Sequence, residues 1–182
     1  LPSNRVAGTL IQAGAEATTR ICGVDPGLRV TGYAVIDVRI ETEKVKLVEA
    51  GIVRTDRTQG IGERLKSIHD GLRGALAELS PDVLVLEKMF SHCNHPTTAI
   101  LMGHARGVAC LAAAAAGIPL ISVASTHVKK SVTGSGHAGK GQVQRMVQYR
   151  LGLARLPEPC DVADALAIAL SYIPLLRGKK KS

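Results

Sequence analysis

Aromatic side chains are almost missing from this sequence: no Trp, one Phe and three Tyr among 182 residues. A core built from it must be aliphatic, made of Val, Ile, Leu and many Ala. The four cysteines, Cys22, Cys93, Cys110 and Cys160, are scattered with no C-x-x-C pair. With no evident secretory signal, that predicts reduced thiols in a cytoplasmic setting rather than a disulfide framework. His92, Cys93 and His95 cluster, but no second pair stands at zinc-site spacing, so a structural zinc is not expected. No apolar run approaches the ~18 uncharged residues that suggest a membrane span. The longest, Val108 to Leu120, is Ala-rich and ends in Gly117 and Pro119, the pattern of a buried helix running into a strand.

One absence is local. Residues 88–157 hold 8 basic residues and no acid, against 11 basic and 12 acidic in residues 1–87 and 4 and 3 in residues 158–182. The net charge of +8 is therefore concentrated in one block. A field of one sign predicts a polyanionic partner, most often nucleic acid; a basic protein with no such partner is the alternative on charge alone. At 46% hydrophobic and 21% charged, the chain has ordinary globular composition and the length of one domain.

Residues 1–19 lack helix or strand periodicity and read as a flexible arm. The domain is expected over 20–174, and 175–182 as a basic tail, mobile in solution. Arg20 to Asp25 is a short apolar run ending in an acid, followed by the turn Pro26-Gly27. Val30 to Asp37 and Lys46 to Val53 read as two further strands of a meander. Ile61, Leu65, Ile68, Leu72, Leu76 and Leu79 recur at helical spacing. Val83 to Glu87 is a buried central strand ending in a second acid. Helices are expected over Thr97 to Ala116, Gly141 to Leu151 and Asp161 to Tyr172, with a strand over Ile118 to Val123. The order predicts an α/β fold with a mixed five-stranded sheet and helices on both faces.

Asp25 and Glu87 end two strands, so they emerge together if those strands are neighbours. Asp161 and Asp164 share one helix face. Four carboxylates converging on one point repel one another, which makes sense around a divalent cation; oxygen ligands favour Mg²⁺ or Mn²⁺ over zinc. Each acid also has a plainer reading. Asp25 suits a turn, Glu87 a solvated strand end, and Asp161 with Asp164 the cap of a helix. Lys129 and Lys140 flank an acid-free Gly134–Gly139 loop, expected to be flexible and suited to following a phosphate backbone. Phe90, past the acidic strand end, suits base stacking or the core. His137 reads as a surface residue, and Arg106, in the buried-looking helix, as a partner in an ion pair.

Several segments together resemble the RuvC family of Holliday-junction resolvases. Gly23-Val24-Asp25-Pro26-Gly27-Leu28-Arg29-Val30-Thr31-Gly32-Tyr33 is similar to its opening motif, and Val85-Leu86-Glu87-Lys88-Met89-Phe90 to its strand-end Glu with an aromatic three residues on. Gly103-His104-Ala105-Arg106-Gly107 resembles its helix motif. Val128 to Gly134 and Gly139 to Gln144 resemble its two Lys segments, and Asp161 to Ala167 its acidic helix. The likeness runs in order from Ile21 to about Tyr172. It implies an RNase H-like fold and a homodimeric endonuclease that nicks opposed strands of a four-way junction symmetrically, in recombination and repair. The metal ligands it implies are Asp25, Glu87, Asp161 and Asp164, with Mg²⁺, or Mn²⁺ in its place, as two ions per site. Lys129 and Lys140 are implied as catalytic and Phe90 as a contact to bases; Lys88, Lys129, Lys130, Lys140 and Arg145 are expected as further DNA contacts. Implied partners are a junction-binding protein and a branch-migration motor; the implied location is the bacterial cytoplasm, with the nucleoid. Lys88, Cys93 and His104 depart from common family residues, and one extra residue lies between Asn94 and Gly103. Competing readings are another RNase H-like nuclease acting on RNA/DNA hybrid, a non-catalytic junction-binding module, and a sugar-kinase or actin-like ATPase, for which one lobe is too small.

Overall fold

The structure, a computed structural model, describes residues 18–42, 44–88 and 96–179. Its elements are β1 (Thr18–Asp25), β2 (Val30–Arg39), β3 (Lys44–Arg54), α1 (Ile61–Leu79), β4 (Val83–Glu87), α2 (Pro96–Ala115), β5 (Leu120–Val123), α3 (Ser125–Thr133), α4 (Lys140–Leu151), α5 (Cys160–Ser171) and α6 (Ile173–Lys179). The sheet order is β3-β2-β1-β4-β5. β2 runs antiparallel to β1 and β3, while β4 and β5 run parallel to β1. This is the expected mixed five-stranded sheet.

Strand alternation divides the interior in two. Ile21, Val83 and Val85 pack with α3, α4 and α5, in a cluster that includes Val128, Val147 and Leu166. Cys22, Val24, Leu84 and Leu86 point the other way, to Ile68, Leu72 and Leu76 of α1 and Ala105, Ala109 and Ala112 of α2. Of the helically spaced residues read in α1, Ile68, Leu72, Leu76 and Leu79 are buried and Leu65 is half-buried, while Ile61, at the first turn, is exposed. Helix α1 begins where Glu63 reaches back to accept the Gly60 N–H at 3.0 Å, and ends on Ser80, whose N–H meets the Leu76 carbonyl at 3.0 Å.

α5 lies closest to the sheet. A Cβ on Gly23 would stand 2.2 Å from the Ala165 carbonyl oxygen and 2.5 Å from the Ala169 nitrogen. One on Gly32 would stand 2.1 Å from the Asp161 carbonyl oxygen. Glycines in the strands and alanines in the helix let the two backbones approach, as strand glycines often do.

Several expectations need correction. Ser125–Thr133, not anticipated as a helix, forms α3. Its Thr and Val residues are weak helix formers, and it is held by burying Val128 and Val132, one turn apart, against the sheet face shared with α5. The Gly134–Gly139 segment is tied rather than free: the Ser135 N–H meets Thr133 Oγ1 at 3.2 Å, the Ala138 N–H meets the Ser135 carbonyl at 3.3 Å, and Ala138 is buried. Thr18 and Thr19, assigned to the arm, already pair with β2, and residues 175–179, assigned to the tail, lie in α6. α2 is long and apolar enough by length and composition to cross a membrane, but it is not the buried helix expected: only 22% of Thr97–Ala115 is buried, on the face of Ala105, Ala109, Ala112 and Ala113, while Ile100 and Leu111 are exposed.

Gly23→Ala should lower stability by roughly 1–3 kcal/mol, because the new methyl meets backbone that has nowhere to move. Gly62→Ala, in α1 with nothing within 4 Å, should instead gain roughly 0.5–1 kcal/mol. Urea unfolding of the two variants checks both signs.

Candidate active site

Parallel pairing puts two acids at one end of the sheet. The β1–β4 register aligns Val24 with Leu86, so Asp25 and Glu87, the next residue on each strand, leave the sheet at the same edge. The Pro26–Arg29 turn that follows Asp25 is closed by the buried Thr31, whose hydroxyl donates to the Gly27 carbonyl at 2.9 Å. Asp25 itself pairs with Gly32 across β1 and β2, and Gly32 is the residue on which the Asp161 backbone rests. The close approach of α5 thus brings Asp161 and Asp164 to the same edge.

The four acids feel one another. Burial pushes the Asp25 carboxyl up to about 7, with the carboxylates of Asp164, Asp161 and Glu87 adding to the rise and Lys140 opposing it. Glu87 is also raised, by burial and by Asp164, against a hydrogen bond from Ser125 and the charges of Lys129 and Lys140. Lys140 Nζ lies 3.3 Å from Asp164 Oδ2, and that carboxylate holds the ammonium above its ordinary range. As the first residue of α4, Lys140 sits at the wrong helix end for a cation; its charge is answered by α5 instead. The cap reading of the acids fails: the N-cap of α5 is Pro159, with no side-chain cap.

The acids are neighbours without being closed on one point, contrary to the expectation. Among the described residues, no three His, Cys, Asp or Glu side chains stand close enough to hold an ion as they are. Two carboxylates ~4 Å apart repel by about 4 kcal/mol at an effective dielectric of 20, so closing all four on one point calls for a cation. The donor set still fits a hard divalent cation, being all carboxylate oxygen.

The basic candidates divide. Lys129 and Lys140 act on the acids electrostatically. Lys88 follows Glu87 and is exposed, with its N–H on the Val123 carbonyl at 2.7 Å. Lys130 is exposed on α3. Arg145 lines a separate groove with Thr133, Ser135 and Gln142. Phe90, with His92, Cys93 and His95, lies outside the described residues. His137 is exposed, as expected.

A sequence profile of the crossover junction endodeoxyribonuclease RuvC family matches residues 21–172. The chain belongs to the RuvC family. A RuvC relative from Rhodopirellula baltica is 48% identical over 88% of this chain and 89% of its own length. One from Halorhodospira halophila is 44% identical over 85% and 89%. The structure of Thermus thermophilus RuvC in complex with a Holliday junction substrate superposes with a TM-score of 0.82 at 32% identity, covering 88% of this chain and 96% of that one. The fold is RNase H-like, as expected. A yeast mitochondrial Holliday junction resolvase, 14% identical at a TM-score of 0.62 over 90% and 81% of the two chains, shares that fold.

Two supporting roles were not anticipated. Arg106, expected in an ion pair, makes none among the described residues; its guanidinium donates to the Glu87 carbonyl and, at 2.7 Å, to Ser122 Oγ, pinning the ends of β4 and β5 together. The signal was present, since Arg106 is the sole Lys or Arg in the 20 residues of α2. Ser125, which bonds Glu87, was hidden by the failure to anticipate α3.

A carboxyl raised in the folded state binds its proton more tightly folded than unfolded. Stability from Asp25 is therefore full below about pH 4 and is lost as pH rises towards about 7. In chelator, the wild type should lose on the order of a few kcal/mol across that window, and Asp25→Asn should flatten this part of the curve. Urea melts at stepped pH measure it.

Proposed function

We propose that this chain resolves four-way DNA junctions by hydrolysing phosphodiesters in opposed strands, with divalent cations held by Asp25, Glu87, Asp161 and Asp164. The observation that carries the reading is the placing of Asp25 and Glu87 on neighbouring strand ends, with the Asp161 backbone of α5 resting on the same sheet edge, in a chain of the RuvC family. Mg²⁺, or Mn²⁺ in its place, as two ions per site, supplies charge to the phosphate and a more acidic water. Asp25 and Glu87, fixed by strand ends, set the floor of the site, and Asp161 and Asp164 approach from α5. Lys129 and Lys140 face the phosphate and stabilise charge developing on it. Lys88, Lys130 and Arg145 hold the flanking backbone, which positions DNA without reading its sequence. Phe90 stacks on bases near the crossover.

Paired nicks call for paired sites, so we infer a homodimer. The outward face of α2 supports it: Ile100 and Leu111, three turns apart, are 60% and 59% exposed. A junction-binding protein and a branch-migration motor complete the recombination and repair role, in the cytoplasm beside the nucleoid.

Wild type should cut a synthetic four-way junction in Mg²⁺ and leave linear duplex and RNA/DNA hybrid intact; chelation should stop the reaction. Asp25→Asn should lower cleavage at least a hundredfold while junction binding stays measurable. Preferential cutting of the hybrid would reassign the substrate. Separately, Leu111→Glu should shift the protein towards monomer in sedimentation and convert paired nicks into single ones.

A further inference from the structure

We propose that a groove on the α1–α2 side of the acidic edge is a second phosphate track, in which Arg29, Arg54 and Arg57 grip the sugar-phosphate backbone of a nucleic acid strand entering or leaving the site. This rests on the nuclease reading above and adds a binding surface outside the acid-free block. The three arginines belong to the half of the sequence whose charges balance, which is why composition gave no hint of them.

The groove has a volume of about 750 Å³. Arg29 comes from the turn after Asp25, Arg54 from the end of β3, and Arg57 from the loop before α1. All three are exposed, and among the described residues none has an ion-pair or hydrogen-bond partner for its side chain. Arg64, which also lines the groove, is committed elsewhere: its guanidinium donates to Thr55 Oγ1 at 3.1 Å and to the Leu28 carbonyl at 3.2 Å. Thr55 donates to the same carbonyl at 2.6 Å. Arg64 and Thr55 thus brace the turn that presents Arg29.

Like charges gathered round one hollow repel, and nothing in the fold requires them there. A polyanion relieves the repulsion, and guanidinium groups match phosphate oxygens with paired donors. The volume is too large for one phosphate and suits a run of nucleotides. Leu101 and Met102 of α2 supply an apolar wall for sugars. Asp161, one of the four acids, also lines it. A strand lying in the groove therefore runs directly into the acidic edge, while Lys129 and Lys140 approach that edge from α3 and α4, on the opposite face of the sheet.

The test is binding of a labelled four-way junction to wild type and to the Arg29→Gln/Arg54→Gln/Arg57→Gln variant, in chelator, across a KCl series. The variant should bind at least tenfold more weakly, and its slope of log affinity against log salt should be shallower by about 2–3, the change expected for that many lost phosphate contacts. Its thermal melt should match wild type. Ethylation interference should lose a set of phosphates that Lys129→Ala and Lys140→Ala retain. Arg57→Gln alone, on an exposed loop, should make the slope shallower by about 1, and carries the test should the triple variant misfold. Unchanged affinity and slope in a wild type that binds the junction would overturn the groove alone. A wild type that does not bind the junction would overturn the nuclease reading and the groove together.

Discussion

The contact on which the site depends is that of α5 with the two strands beneath it. Gly23 and Gly32 leave no room for a methyl group between sheet and helix. That closeness fixes the height of Asp161 and Asp164 over Asp25. The requirement is steric and comes from hydrogen-sized side chains, yet its product is electrostatic: the α5 carboxylates are set near enough to Asp25 to add to the rise of its carboxyl. Burial of Val162, Leu166 and Leu170 provides the free energy that keeps the helix down against this repulsion.

Around this contact the chain places braces of another kind. Arg106 joins the β4 carboxyl end to Ser122, Ser125 bonds Glu87, and Thr31 closes the turn after Asp25. Each of these polar groups works through backbone or through another side chain. Lys140 differs, because its charge is spent directly on Asp164. The acidic edge is therefore tolerable in a folded chain, with Lys140 also offsetting part of the charge of Asp25 and Glu87.

The mixed sheet and its two covered faces were legible because they follow from period: two along β1 and β4, and three to four along α1; the strand order was not, because periodicity does not say which strands are neighbours. The acids were legible because strand-end carboxylates and an i, i+3 pair have few structural uses in combination. α3 was not legible, since Thr126, Val128, Val132 and Thr133 carry a strand-like composition and only tertiary burial makes them helical. The arginine groove was hidden for a different reason. Arg29, Arg54 and Arg57 are diluted among nearby acids in sequence and are brought to one groove only by the fold. The spacing between acids and the Lys140 pairing likewise belong to side-chain packing, which no periodicity encodes.

The sheet also acts as a bulkhead. One layer of backbone separates the cluster under α3, α4 and α5 from the cluster under α1 and α2. Residues in separate clusters share few neighbours, so substitutions on the two sides combine nearly additively. Ala109 or Leu72 is free to drift in evolution without Leu166 or Val128 having to answer. Such insulation lets the outer surface of α2 be reshaped while the chamber that seats Asp161 and Asp164 keeps its dimensions.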